Sequence, residues 1–204
     1  VLVRSTRSGA GLICPQRQVS TIFAKPSPIE YEAYLTLWQR LHRAYLKLPS
    51  KEKNILPMVI LLRELCSSSA AALDTLYRLM ANNLCRYLAL EDAVKISRLL
   101  EKVHSSKLDH LASAIGQAGE KAIIFTEYRA SQKEIAKHLQ DIGLHVVVYH
   151  GGLTRQAKDA AVEEFRQNAQ ILISTEAGGE GRNLQFCRRV INYDLPWNPM
   201  RLEQ

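Results

Sequence analysis

Long apolar runs are missing from this 204-residue chain. None approaches the roughly 20 residues that a membrane-spanning helix needs, so no membrane partner is expected. Cysteine is sparse, and Cys14, Cys66, Cys85 and Cys187 are far apart. That spacing excludes a CxxC-type zinc site and a dense disulfide framework, and it fits reduced thiols in an intracellular protein. Glycine-rich nucleotide signatures are absent as well. No G-x-G-x-x-G follows a strand pattern and no G-x-x-x-x-G-K-[ST] occurs, which removes most support for a dinucleotide fold and for a primary triphosphate loop. The basic stretch Val1 to Ala10 lacks the apolar core of a signal peptide. With no initiator Met and an abrupt end at Gln204, the chain reads as a segment of something longer.

What is present is an ordinary globular composition, 47% apolar and 23% charged, with an excess of positive charge. The net charge is +7, of which +6 lies in residues 1–120 and +1 in residues 121–204. A polyanion such as nucleic acid is a fair partner for that asymmetry, and a merely soluble basic surface accounts for it equally well.

Residues 26–104 carry helical patterns. Ser27-Pro28-Ile29-Glu30 is a capping box with proline at the first helical position. Tyr34, Trp38, Leu41, Tyr45 and Leu48 then step by four and three, which predicts an apolar face packed in the core. Ile55, Val59, Leu62 and Leu65 predict a second helix, Leu73 to Leu88 a third, and Val94 to Val103 a fourth. Ser106 to Asp109 is read as another capping box, opening a helix that buries Leu108, Leu111, Ala112 and Ile115 and stops at Gly116 and Gly119.

Beyond Gly119 the period changes. Ala122 to Phe125 reads as a strand covered on both faces, and His145 to Tyr149, Ile171 to Ile173 and Val190 to Tyr193 read as the strands that follow. Between the first three lie helices: one with a capping box at Ser131 to Glu134 and a stop at Gly143, and one over Thr154 to Gln167. Alternating strands and helices imply parallel βαβ units, in which ligands sit beyond the carboxyl ends of the strands. Three loops there carry candidate chemistry. Thr126-Glu127-Tyr128-Arg129 offers a hydroxyl at a helix N-terminus. Tyr149-His150-Gly151-Gly152-Leu153-Thr154-Arg155 puts two glycines and a cation before a capped helix, which suits a phosphate cradle or a tight turn with positive φ. Ser174 to Leu184 has three glycines within four positions, 178–181, with Thr175 before them and Arg182 and Asn183 after. Glycines crowded there suit backbone amides that approach an anion. Pro196 and Pro199 stiffen the last segment around Trp197, where packing is the expected role.

Together these residues resemble the second motor lobe of Swi/Snf-like ATPases in helicase superfamily two. Lys121 to Tyr128 is similar to motif IV, Tyr149 to Gly152 to the His-Gly motif, Ser174 to Leu184 to motif V, and Asn192 to Gln204 to the approach to motif VI. The wording EGRNLQ with YDLPWNP is nearest the bacterial and archaeal branch, which includes an RNA-polymerase-associated ATPase. The resemblance divides the chain into the tail of a first motor lobe (1–25), a helical insertion (26–104) and a C-terminal lobe (105–204). The implied fold class is α/β: a RecA-like parallel sheet flanked by helices, preceded by an all-helical region.

The resemblance also implies a prokaryotic, cytoplasmic, nucleoid-associated motor that uses ATP and Mg2+ and steps along double-stranded DNA without reading its sequence. Its implied partners are the first RecA-like lobe and RNA polymerase or another DNA-bound complex. Thr126, His150, Gly151, Gly152, Arg155 and Thr175 would meet the DNA backbone. Gly179, Gly181, Arg182, Asn183 and Gln204 would face the ATP cleft. Two departures matter. The chain lacks a Walker lysine loop and an acidic motif II, and it stops at the first position of motif VI, before that motif's arginines. Such arginines are worth roughly 10³–10⁵ in rate, so these 204 residues alone are expected to be inactive and to hold no nucleotide. A stand-alone nucleic-acid or protein-binding module is the main alternative, and a nucleotide-dependent redox or transferase fold a remoter one.

Overall fold

A computed structural model describes residues 18–81, 88–116, 120–175 and 184–195. Its first part is helical: α1 (Pro28–Lys47), α2 (Leu56–Ser67), α3 (Ser69–Ala81) and α4 (Leu90–Leu100), with a short 3-10 turn at Ser50–Glu52. Then follow α5 (Ser106–Gly116), β1 (Ala122–Thr126), α6 (Arg129–Asp141), β2 (Val146–Tyr149), α7 (Arg155–Gln167), β3 (Ile171–Thr175) and β4 (Arg189–Asn192). The strands form one sheet in the order β2-β3-β1-β4, and every pairing is parallel. The expected parallel sheet flanked by helices is therefore present.

Strand alternation explains its two faces. Ala122, Ile124, Ile171 and Ile173 pack against Leu108, Leu111 and Ile115 of α5 and Ile135 and Leu139 of α6. Ile123 and Leu172 point the other way, to Phe165 of α7. Apolar burial on both faces is what makes these strands continuous apolar runs. A third cluster, Ala33, Leu37, Leu41, Met58, Leu61, Leu76, Ile96 and Leu100 among them, is built entirely from the helical part.

Several local expectations change in the structure. The Ser27 box forms as read: Ser27 Oγ accepts from Glu30 N at 3.3 Å, and Ser27 N donates to Glu30 Oε2 at 2.6 Å. Gly143 closes α6 with φ +86°, and Leu144 N reaches back to Leu139 O, the pattern of a left-handed helix stop. The other two boxes do not form. Ser106 is the first residue of α5, and its amide donates to Glu30 Oε1 at 3.1 Å, while Asp109 pairs with His104. Ser131 lies inside α6, which starts at Arg129, and its hydroxyl serves Ser67 and Ser68. The aromatic stripe of α1 is also displaced. Ala33, Leu37 and Leu41 fill the core, while Trp38 is 43% exposed and stacks on His42. Small and aliphatic side chains fit the close approach of α2 and α4 to α1, and the indole rides outside. In α2 the buried positions are Met58, Leu61, Glu64 and Ser67, one step from the stripe expected, of which Leu62 and Leu65 pack at the core's margin and Ile55 is exposed.

Candidate nucleic-acid interface at the strand ends

A parallel sheet points all its strand ends the same way, so the four strand ends form one row. Thr126 of β1 is the register partner of Thr175 of β3, and Tyr149 of β2 pairs with Ser174. Across the row lie His150-Gly151-Gly152, then Thr175, then Thr126, then Tyr193-Asp194 after β4.

At the β1 end, Thr126 is 1% exposed, and its Oγ1 donates to Asp194 Oδ2 at 2.6 Å. Glu127 N donates to the same oxygen at 2.9 Å. The hydroxyl expected to face a phosphate is therefore engaged inside the fold, because β4 lies beside β1 and delivers a carboxylate two residues past its end. Burial is also what pushes the Tyr128 hydroxyl up to about 12, with the Glu127 carboxylate adding to it.

The β2 end is different. His150 leads a turn closed by Leu153 N on His150 O. Thr154 caps α7, its Oγ1 accepting from Ala157 N at 3.2 Å, and Arg155 is the first helical residue. Gly152 is exposed, and a Cβ there would meet Arg129 and His150 side-chain atoms at 3.4 Å. The turn does not use the left-handed region, since Gly143 is the glycine with positive φ among the described residues. Arg129 is the first residue of α6, and its Nη2 lies 3.2 Å from His150 Nε2. Partial desolvation, then Arg129, Lys158 and Lys133 in turn, lower the His150 pKa from its ordinary value. Neither α6 nor α7 has an acidic residue in its first turn. Two helix starts with free dipole charge and cations nearby are a place where an anion is favoured.

Thr175 is 7% exposed at the end of β3. Gly179, Gly181, Arg182, Asn183 and Gln204 lie outside the described residues. The residue types missed in the sequence are Arg129, Lys133 and Lys158, which join His150 through the fold, and Gln132. Gln132 is 1% exposed and donates from Nε2 to Tyr149 O at 2.7 Å and Ile173 O at 2.8 Å, clamping the ends of β2 and β3. Arg129 and Lys133 stand four apart, a spacing that marks one helix face once the helix start is known. No signal in the sequence pointed to Gln132. Among the described residues no group of three or more His, Cys, Asp or Glu is arranged to hold a metal ion.

The model of the helicase conserved C-terminal domain matches residues 106–204. This chain carries a helicase C-terminal domain. Over 207 aligned residues, spanning 100% of this chain, it is 40% identical to the protein named ATP-dependent helicase YqhH of Bacillus subtilis (strain 168), and covers 36% of it. It is 32% identical over 114 residues to the RNA polymerase-associated protein RapA of Vibrio parahaemolyticus, covering 54% of this chain and 11% of RapA. The chain thus spans about a third and about a tenth of the length of these relatives. The fold of the helicase domain and its helical preface is shared with the C-terminal part of the Fun30 ATPase domain: TM-score 0.64, 16% identity, 93% of this chain and 79% of that one. The Sulfolobus solfataricus SWI2/SNF2 ATPase C-terminal domain is similar, with TM-score 0.58 and 20% identity over 87% of this chain and 72% of that one. The helicase resemblance carried by the motifs holds for residues 106–204, and the fold is one shared with a SWI2/SNF2 ATPase C-terminal domain.

Proposed function

We propose that this helicase C-terminal domain is the DNA-tracking half of an ATP-driven, Swi/Snf-like motor on double-stranded DNA, one wall of whose ATP cleft it supplies. One observation carries the DNA part: Arg129, Lys133 and Lys158 gather around His150 at the glycine turn, between two helices with no acid in the first turn, the second of which opens with Arg155. Such a surface grips phosphates and reads no bases. His150, Gly151, Gly152 and Arg155 keep the role given them, with Thr175 beside them in the row. Thr126 leaves the contacting set, because its hydroxyl serves Asp194. The implied partners remain a first RecA-like lobe and RNA polymerase or another DNA-bound complex.

ATP with Mg2+ belongs to this reading of the longer protein, and the residues assigned to it are Gly179, Gly181, Arg182, Asn183 and Gln204. The 204 residues hold no G-x-x-x-x-G-K-[ST] loop, so the chain alone is expected to release no phosphate from ATP. The test is fluorescence anisotropy of the chain on a labelled 20-base-pair duplex across a salt series. Binding is expected to be independent of sequence, with log affinity falling by about 0.9 per phosphate neutralised for each unit of log salt. Arg129→Ala and Arg155→Ala should each weaken binding and flatten that slope by close to one phosphate. Undiminished affinity in both variants, or DNA-stimulated phosphate release by the wild-type chain, overturns the reading.

A further inference from the structure

The helical part and the sheet share no apolar cluster among the described residues: one cluster is built from residues 33–103, the others from residues 108–193. Beside the packing of α3 on α6, polar side chains bridge them. Ser67 and Ser68 both reach Ser131 Oγ at 2.7 Å, and Arg63 pairs with Glu127. At the centre stands Asp194, its side chain 10% exposed. Its Oδ2 accepts from Thr126 Oγ1 (2.6 Å), Ser67 Oγ (2.8 Å) and Glu127 N (2.9 Å), and its Oδ1 accepts from Lys107 Nζ at 3.1 Å. Lys107 in turn donates to Cys66 O at 3.2 Å and lies over the Tyr193 ring, 3.9 Å from its centre. One carboxylate therefore holds the end of α2, the start of α5 and the loop after β1.

We propose that Asp194 is a positioning residue that makes the helical part a structural support for the phosphate surface. The loop it grips, Thr126 to Tyr128, delivers Arg129, whose guanidinium meets His150. Ser67 sets the carboxylate from the helical side, so a change there is transmitted through Asp194 to Glu127 and on to Arg129. The helical part thereby acts on DNA binding without touching DNA. The binding half of this statement rests on the function proposed above; the mechanical half does not.

Two readouts on the full 204-residue chain separate the halves. Amide hydrogen exchange reports local opening residue by residue. Ser67→Ala and Asp194→Ala are expected to speed exchange at the Glu127 amide, while the β1–β3 ladder amides stay as in wild type; Asp194→Ala should also lower the thermal midpoint, since it strips four hydrogen bonds from a largely buried site. Affinity for the 20-base-pair duplex should fall about three- to tenfold in Ser67→Ala, the loss of one hydrogen bond's worth of positioning. Ser67→Thr, which keeps the hydroxyl, should restore both readouts, as a loss of general packing would not. Unchanged Glu127 exchange in Ser67→Ala overturns the proposal, and this variant decides the matter even where Asp194→Ala does not fold. Faster Glu127 exchange with unaltered affinity also overturns it, because the loop then moves without consequence for the surface. If the wild-type chain binds no duplex, the phosphate reading fails, and the exchange readout alone upholds or overturns the positioning by Asp194.

Discussion

The Arg129 guanidinium lies 3.2 Å from Nε2 of His150, although they stand 21 positions apart, Arg129 opening α6 after β1 and His150 following β2. Nothing local pairs them. β3 lies between the strands that carry them, and the first turn of α6 leans across it, Gln132 bonding both β2 and β3. A cation held against an imidazole is unfavourable once the imidazole is protonated, and the arrangement is relieved by an anion between them.

That relation sets a pH dependence. His150 has its pKa lowered by partial desolvation and then by Arg129, Lys158 and Lys133, so it is neutral at pH 7. A bound phosphate favours the charged ring, so binding takes up a proton and affinity rises as pH falls. For one linked proton the rise is at most about tenfold per pH unit. Anisotropy at constant ionic strength between pH 7.5 and 5.5 should show it, and His150→Gln should flatten the profile. A wild-type affinity that ignores pH would remove His150 from the surface.

Gln132 supports the same row. Replacing it with Leu keeps the bulk but leaves the carbonyls of Tyr149 and Ile173 without its two hydrogen bonds. An unsatisfied buried polar group costs about 1–3 kcal/mol, so urea denaturation should show a loss of that order or somewhat more. A loss below about 0.5 kcal/mol, the range of ordinary surface changes, would show that the clamp contributes nothing.

Helix α1 offers a contrast between neighbours. Leu37 is fully buried, while Trp38 is 43% exposed. Leu37→Ala should cost about 2–5 kcal/mol in chemical denaturation. Trp38→Ala, despite removing far more atoms, should stay within about 1 kcal/mol, since it forfeits a surface stack on His42. The reverse order would restore the aromatic stripe as the core face.

The sheet was legible because burial on both faces writes itself as uninterrupted apolar runs, and Ala122 to Phe125 and Ile171 to Ile173 are such runs. Helix starts were legible only where the partner was local. Ser27 and Glu30 satisfy each other within one turn. Ser131 carries the same signature, yet Ser67 and Ser68, more than 60 residues earlier, claim its hydroxyl. The face of α1 was legible in part: Leu41 lies in the core and Tyr45 packs against it, but Trp38 rides outside while Ala33 is buried, because tight helix packing favours the smaller side chain.

The sequence by itself determined the alternation of strand and helix, the parallel sheet, the motif order and the loops that would stand at its open end, because each depends on periodicity or on turn chemistry a few residues long. The tertiary structure alone decided that Thr126 faces inward to Asp194, that Arg129 joins His150, that Gln132 ties two strands, and that serines bridge the helical part to the sheet. These are contacts between residues 17 to 127 positions apart. Their partners are chosen by which chain segments the packed core brings within a hydrogen bond's length, a choice that no short window of the sequence contains.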